Sequence, residues 1–300
     1  MTAGLVLVGG RSSRMGTAKA ALEWHGSTLL HRTLGVLRRA VDGPLLVIRA
    51  PGQPLPQVGP QVRIIQDPQE GLGPLQGIAA GLTVLAGGVQ GVDGDRDASA
   101  GVAFLCAVDL PFLHPAFIRR VLGALTEDTD VVLPVASGYP QPLAAAYRVR
   151  LAPLVAELVA GGARRPALLF RRCATLRLDD AALLADPVLA AADPTLDSVL
   201  NVNSPEDYQA ARCRPAPWVT VQHHGASAGD RGPCTIRAAT LSGAAAAVGL
   251  TPDHQAVAEL NGDRLSDVED VSLVSGDRVV FRAAAADTVE SRPSRCPRAG

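Results

Sequence analysis

Short apolar runs alternate with segments of helical periodicity over the first two-thirds of the chain. Residues 4–8 are an unbroken apolar run followed by glycines. Residues 28–40 carry Leu29, Leu30, Leu34 and Leu37 at helical spacing. Residues 45–48, 62–65, 102–108, 131–135 and 143–147 read as strands. Residues 74–85, 115–125, 151–160 and 166–171 read as helices, the first with proline at its start, where its missing N–H costs little. Strand–helix alternation of this kind predicts a Rossmann-like three-layer α/β domain with a mainly parallel sheet. Such sheets bind ligands at the carboxyl ends of their strands.

The pattern changes after residue 213. Arg214-Pro215-Ala216-Pro217 reads as a stiff connector. Beyond it, residues 219–223, 235–239, 256–260 and 278–283 look like strands, with an alanine-rich helix at 241–250 and a turn at Asn261-Gly262. The expected organisation is a first domain over 1–213, a linker over 214–217, a small α+β domain over 218–286 and a disordered tail over 287–300. The connector predicts that the two domains fold separately. Residues 87–101 read as a flexible surface insertion.

Composition narrows the function. The formal net charge is −1, which argues against a nucleic-acid or acidic-membrane grip over the whole surface. No apolar run reaches the roughly 20 residues of a membrane span. The N-terminal run lacks the basic flank of a signal peptide. The five cysteines are scattered and show no CxxC spacing, which fits a reducing cytoplasm better than a zinc site or a disulfide framework. Arginine supplies every basic residue except Lys19, and asparagine occurs only at positions 201, 203 and 261. In so arginine- and alanine-rich a chain, a retained lysine or asparagine calls for a reason.

Four segments carry candidate chemistry. Leu7-Val8-Gly9-Gly10 leads, directly after the first strand, into a loop bearing Arg14 and the sole lysine, Lys19. Glycines bring backbone N–H groups close to phosphates, and the two cations add charge. The loop lacks the Gly-Lys-Ser/Thr ending of a Walker loop and is not GxGxxG. Asp67 ends the third strand, ahead of Gly71-Leu72-Gly73-Pro74-Leu75-Gln76-Gly77; that turn and carboxylate suit a purine edge or a ribose. Asp109 ends the 102–108 strand, where a lone carboxylate suits Mg²⁺; the alternative is a helix cap ahead of Pro115. Asn201 and Asn203 flank Val202 at a spacing that points both side chains the same way in extended chain.

Taken together, these segments resemble the molybdenum cofactor guanylyltransferases, within the wider group of Rossmann-like nucleotidyltransferases, over residues 2–211. The resemblance implies that Leu7, Val8, Gly9, Gly10, Arg14 and Lys19 hold a triphosphate. Asp67, Gly73, Pro74 and Leu75 would contact the nucleoside of GTP, and Asp109 would bind Mg²⁺ as cofactor. Asn201, Asn203, Arg164 and Arg165 would face the acceptor, molybdopterin. The implied reaction is transfer of GMP with release of pyrophosphate. Two positions depart from the pattern. Ala18 stands where an aspartate often precedes the lysine, and Ile48-Arg49 lacks an asparagine often found at that strand end. A cytidylyl or other nucleotidyltransferase with a different acceptor, and a non-catalytic nucleotide-binding scaffold, are the competing readings. Residues 218–286 resemble the ubiquitin-like β-grasp fold of small sulfur carriers, although the chain does not end in Gly-Gly. That implies a docking role, toward other molybdenum cofactor proteins, rather than sulfur carriage.

Overall fold

The computed structural model describes residues 1–9, 18–67, 71–88, 100–224, 231–250, 256–265 and 271–283. The expected insertion at 87–101 and tail at 287–300 therefore lie mostly or wholly outside the described residues.

The apolar runs form the middle of a large sheet. Its main strands are β1 (Thr2–Leu7), β2 (Leu45–Arg49), β3 (Val62–Gln66), β4 (Val102–Ala107), β5 (Val131–Ala136), β6 (Ala144–Arg148) and β7 (Thr175–Leu178). They lie in the order β7-β5-β6-β4-β1-β2-β3. Neighbours run parallel except around β6, which is antiparallel to both β4 and β5. β1 and β4 are central and buried on both faces, which is why they read as continuous apolar runs rather than alternating ones.

Helices cover both faces. On one side α1 (Leu29–Arg38) and α3 (Pro115–Gly123) pack over Val6, Phe104 and Val132. On the other, α2 (Pro74–Ala86) and α4 (Ala152–Ala160) pack over Leu5, Leu105 and Tyr147. α2 lies close on β1 because Gly77 and Gly81 face it: a Cβ there would stand 3.0 Å from Leu7 and 2.9 Å from Leu5. Three elements were not legible in the periodicity. β7 is an edge strand with two of its four residues exposed, and α5 (Asp180–Leu184) and α6 (Pro187–Ala192) are little more than one turn each. Residues 166–171 form a 3-10 helix. α7 (Pro205–Cys213) closes this part of the chain, started by a reciprocal cap between Ser204 and Asp207.

Beyond the connector a second sheet begins. Its strands are β8 (Trp218–His224), β9 (Arg231–Arg237), β10 (Ala256–Leu260), β11 (Asp263–Arg264) and β12 (Arg278–Ala283), in the order β9-β8-β12-β10-β11. α8 (Leu241–Ala247) lies between β9 and β10 in sequence and shares a core with Val219, Val221, Leu260, Val279 and Phe281. β12 enters parallel to β8 and antiparallel to β10. Asn261 and Gly262 both take positive φ, 55° and 99°, as a tight hairpin turn requires.

The two domains, expected to fold separately, pack against each other at their join. Val274 of the small domain belongs to the same core as Leu30 and Phe117. Asp277, 3% exposed, receives both outer nitrogens of Arg39, the C-cap of α1, at 2.8 and 2.5 Å. Arg32, two helical turns before Arg39, is 8% exposed and donates to Leu273 O at 2.9 Å. Burial pushes its guanidinium down to about 10, with the nearby Arg39 charge adding to the effect. A proline connector limits how the chain joins two units; it does not prevent those units from packing together.

Candidate active site

The chemistry gathers at the carboxyl ends of β1, β2 and β4, around a cleft of about 460 Å³. Lys19 arrives from the loop after β1, opening a single 3-10 turn, Lys19–Ala21. Its Nζ donates to Asp109 Oδ2 at 2.8 Å and to Asn203 Oδ1 at 3.2 Å. These groups are 90 and 184 residues from the lysine in sequence. The chain's sole lysine, a strand-end carboxylate and one of its three asparagines therefore meet at one point.

Each is held from behind. Val202 N donates to Asp109 O at 3.0 Å, joining the two acceptor-bearing segments. Asp207 accepts from the N–H groups of both Asn203 and Ser204, and these bonds keep its carboxyl below the usual carboxylate range. The cap for α3 is His114, whose Nδ1 accepts from Ala116 N, so Asp109 is free of that duty. Asp109 Oδ1 is buried and has no hydrogen-bond partner among the described residues.

A buried bare carboxylate oxygen is costly unless something fills it. A hard divalent cation is such a group. Among the described residues no cluster of three or more His, Cys, Asp or Glu could hold a metal by itself. One carboxylate with the rest of the shell from water and phosphate is a pattern that suits Mg²⁺ and does not suit a closed zinc site.

The opposite wall is built from backbone. Gly73 precedes α2 with φ +83°, and a Cβ there would meet Arg164 O at 2.7 Å. Gly73, Pro74, Asp67 and Gly9 line the cleft. Asp67 N donates to Arg49 O at 2.7 Å, which ties the ends of β2 and β3 together.

Residues 4–173, more than half of the chain, match the family described as the MobA-like NTP transferase domain. The chain belongs to that family. It is 44% identical over 165 residues to a probable molybdenum cofactor guanylyltransferase of Mycobacterium avium (strain 104), covering 54% of this chain and 77% of that protein. A protein of the same description from Mycobacterium ulcerans (strain Agy99) is 40% identical over 194 residues, covering 63% and 90%. In fold the chain is similar to molybdopterin-guanine dinucleotide biosynthesis protein A from Archaeoglobus fulgidus, with a TM-score of 0.51, 22% identity, and coverage of 71% and 97%. The MobA-like chain is thus a nucleotidyltransferase, and its family match ends before the small domain begins.

The remaining expected site residues of this MobA-like enzyme divide. Leu7 and Val8 line the cleft, but Leu7 O is taken by Val108 N, and Val8 O accepts from Gln53 Nε2 at 2.9 Å. Gly9 is the next residue into the cleft, while Gly10 and Arg14 lie outside the described residues. The Leu75 side chain is fully buried in the core under α2, so this residue can offer the cleft only its backbone, whose N–H donates to Arg164 O at 3.4 Å. Arg164 and Arg165 are exposed, on the loop whose backbone packs against Gly73. Asn201 is exposed too, but Asn203 is the one bonded to Lys19. Gln53 escaped the sequence reading, and Arg49 entered it only as a departure from the family pattern. Gln53 also accepts from Ala50 N, and Arg49 Nη1 donates to Gln53 O at 2.8 Å, so this pair fixes the loop after β2 beside the first glycine. The Pro51–Gln53 stretch has no periodicity that would have marked it.

No helix among the described residues is long and apolar enough to cross a membrane.

Proposed function

We propose that this enzyme transfers GMP from GTP to molybdopterin, with Mg²⁺ bound at Asp109. The observation that carries the reading is the convergence of Lys19, Asp109 and Asn203 beside a glycine-walled cleft at the strand ends. The names of the mycobacterial relatives support the choice of nucleotide and acceptor.

In this reading the nucleoside lies along Asp67, Gly73 and Pro74, with its phosphates at Gly9 and Lys19. A terminal phosphate oxygen of the acceptor attacks the α-phosphorus. The new P–O bond forms as the bond to the β-phosphate oxygen breaks, and pyrophosphate leaves with that electron pair. The bound cation supplies charge neutralisation at the phosphates. Lys19, paired with Asp109 Oδ2, would hold its ammonium toward the phosphate oxygens beside the carboxylate that would bind the cation. Asn203, fixed through Asp207, orients the lysine and the acceptor side. No covalent enzyme intermediate is required, so catalysis is positioning and charge stabilisation. Arg164 and Arg165, exposed beside Gly73, are placed to meet an anionic acceptor.

Pyrophosphate release with Mg²⁺, molybdopterin and each of the four nucleoside triphosphates tests this. GTP should exceed CTP and UTP, because a site built to pair a polar base edge rejects a base that leaves it unpaired. Equal use of CTP and GTP would move the assignment to the cytidylyl reading, for which Arg49 at the end of β2 is the relevant departure. No release with any nucleotide would favour a scaffold.

A further inference from the structure

The Arg32 guanidinium joins three pieces of the molecule. Nε donates to Pro111 O at 3.2 Å, Nη2 to Leu113 O at 3.4 Å and Nη1 to Leu273 O at 2.9 Å. Two of these carbonyls belong to the turn that begins at Asp109; the third belongs to the small domain. Arginine's planar fork fixes the angles between its donors, so a shift of one partner is felt by the others.

The same turn is held at further points, one of them in the small domain. His114, which follows it, has Nε2 3.4 Å from Ser275 O, and its backbone N donates to Ser198. Phe112 sits between the Trp24 ring, 5.4 Å away edge-on, and the Arg214 guanidinium, 4.6 Å from its centroid. Arg214 opens the connector and is paired with Asp197 at 2.6 Å. The small domain is in turn pressed onto α1 by Arg39 and Asp277. Asn261 Nδ2 and Val274 N hold that carboxylate in place, so the asparagine of the hairpin turn has a second task.

We propose that the small domain braces the Asp109 turn, with Arg32 as the positioning residue that carries the brace from Leu273 to Pro111 and Leu113. Because, among the described residues, Asp109's own side chain is held by Lys19 alone, its direction depends on how firmly the turn is fixed. A domain outside the family match would then tune the metal carboxylate from behind, without entering the cleft. This rests on the role given to Asp109 under Proposed function.

The test uses the full chain with Arg39→Gln, which loosens the docking without touching Arg32, and Arg32→Lys, which keeps the charge and loses the fork. Hydrogen exchange at the amides of Leu110, Phe112 and Leu113 should quicken in both, while exchange in β2 stays as in the parent. Turnover should fall about tenfold, short of the 10²-fold that a 1 Å misplacement can cost, with KM for the nucleotide nearly unchanged. Mn²⁺ affinity, read by electron paramagnetic resonance, should weaken in parallel. If Arg32→Lys fails to fold, Arg39→Gln decides alone. Faster exchange in β8 and β12 with unchanged exchange at Leu110–Leu113 would overturn the brace. Because exchange needs no substrate, it decides this question even if no nucleotide proves to be turned over.

Discussion

Two mostly buried aspartates, each next to a strand end, behave in opposite ways. Asp277, just before β12, accepts two bonds from Arg39, one from Asn261 and one from Val274 N. Asp109, just after β4, gives one oxygen to Lys19 and, among the described residues, leaves the other bare. A carboxylate with every lone pair occupied has no capacity left for a ligand; it holds structure. A buried carboxylate with an empty oxygen and a movable cation beside it has been kept at some cost to stability, and that is a common mark of a functional site. The contrast separates the two without reference to any relative.

The largest effect that could break this contrast is on stability. Asp277→Ala leaves Arg39 mostly buried and unpaired, and should destabilise the chain by about 3–5 kcal/mol. Chemical denaturation measures it, and a loss no larger than that of a surface substitution would show that the pair does not hold the join. Lys19→Ala should do the reverse. Turnover should drop about 10²–10³-fold, as when a single electrostatic contact to the reacting group is lost, while the denaturation midpoint barely moves. Near-normal turnover in steady-state kinetics would remove the phosphate role from the loop.

A smaller effect sharpens the picture of the cleft's far wall. Gly73→Ala places a side chain at φ +83° and a methyl against Arg164 O. It should cost about 1–3 kcal/mol, the usual range for a strained backbone position. An unchanged midpoint would mean that the loop at 161–165 yields freely.

The smallest effect is in pH. Burial holds the His114 imidazole below its ordinary range, assisted by the Arg32 and Arg39 charges and opposed by Ser275 O and Asp277. The native form is therefore the neutral ring. Its contribution is fully present above the unfolded value of about 6.5 and is lost as pH falls through that value toward the lower folded one. His25 is shifted the same way, by burial and then by Arg212. The denaturation midpoint of the parent should fall more on acidification below about pH 6.5 than that of His114→Asn, in which asparagine can still cap α3. Parallel curves would contradict the assignment.

The sequence exposed the site more fully than it exposed the join. Lys19, Asp109 and Asn203 stood out by scarcity and by their place at strand ends, properties that survive without knowledge of the packing. Arg32, Arg39 and Asp277 had no such mark, since arginine and aspartate are common here and the contact depends on how one sheet settles onto α1. The central strands were plain because burial on both faces leaves an apolar run. β7, α5 and α6 were not, being half-exposed or, at little more than one turn, too short for a period to repeat.

The central claim is that Asp109 is a metal carboxylate and not a structural one, and Asp109→Asn tests it most directly. The neutral amide keeps the shape of the side chain but is a poor ligand for a hard cation. The variant should fold with the parent's denaturation midpoint and lose Mg²⁺-dependent pyrophosphate release with GTP and molybdopterin. Parent-like release from that variant at limiting Mg²⁺ would contradict the account.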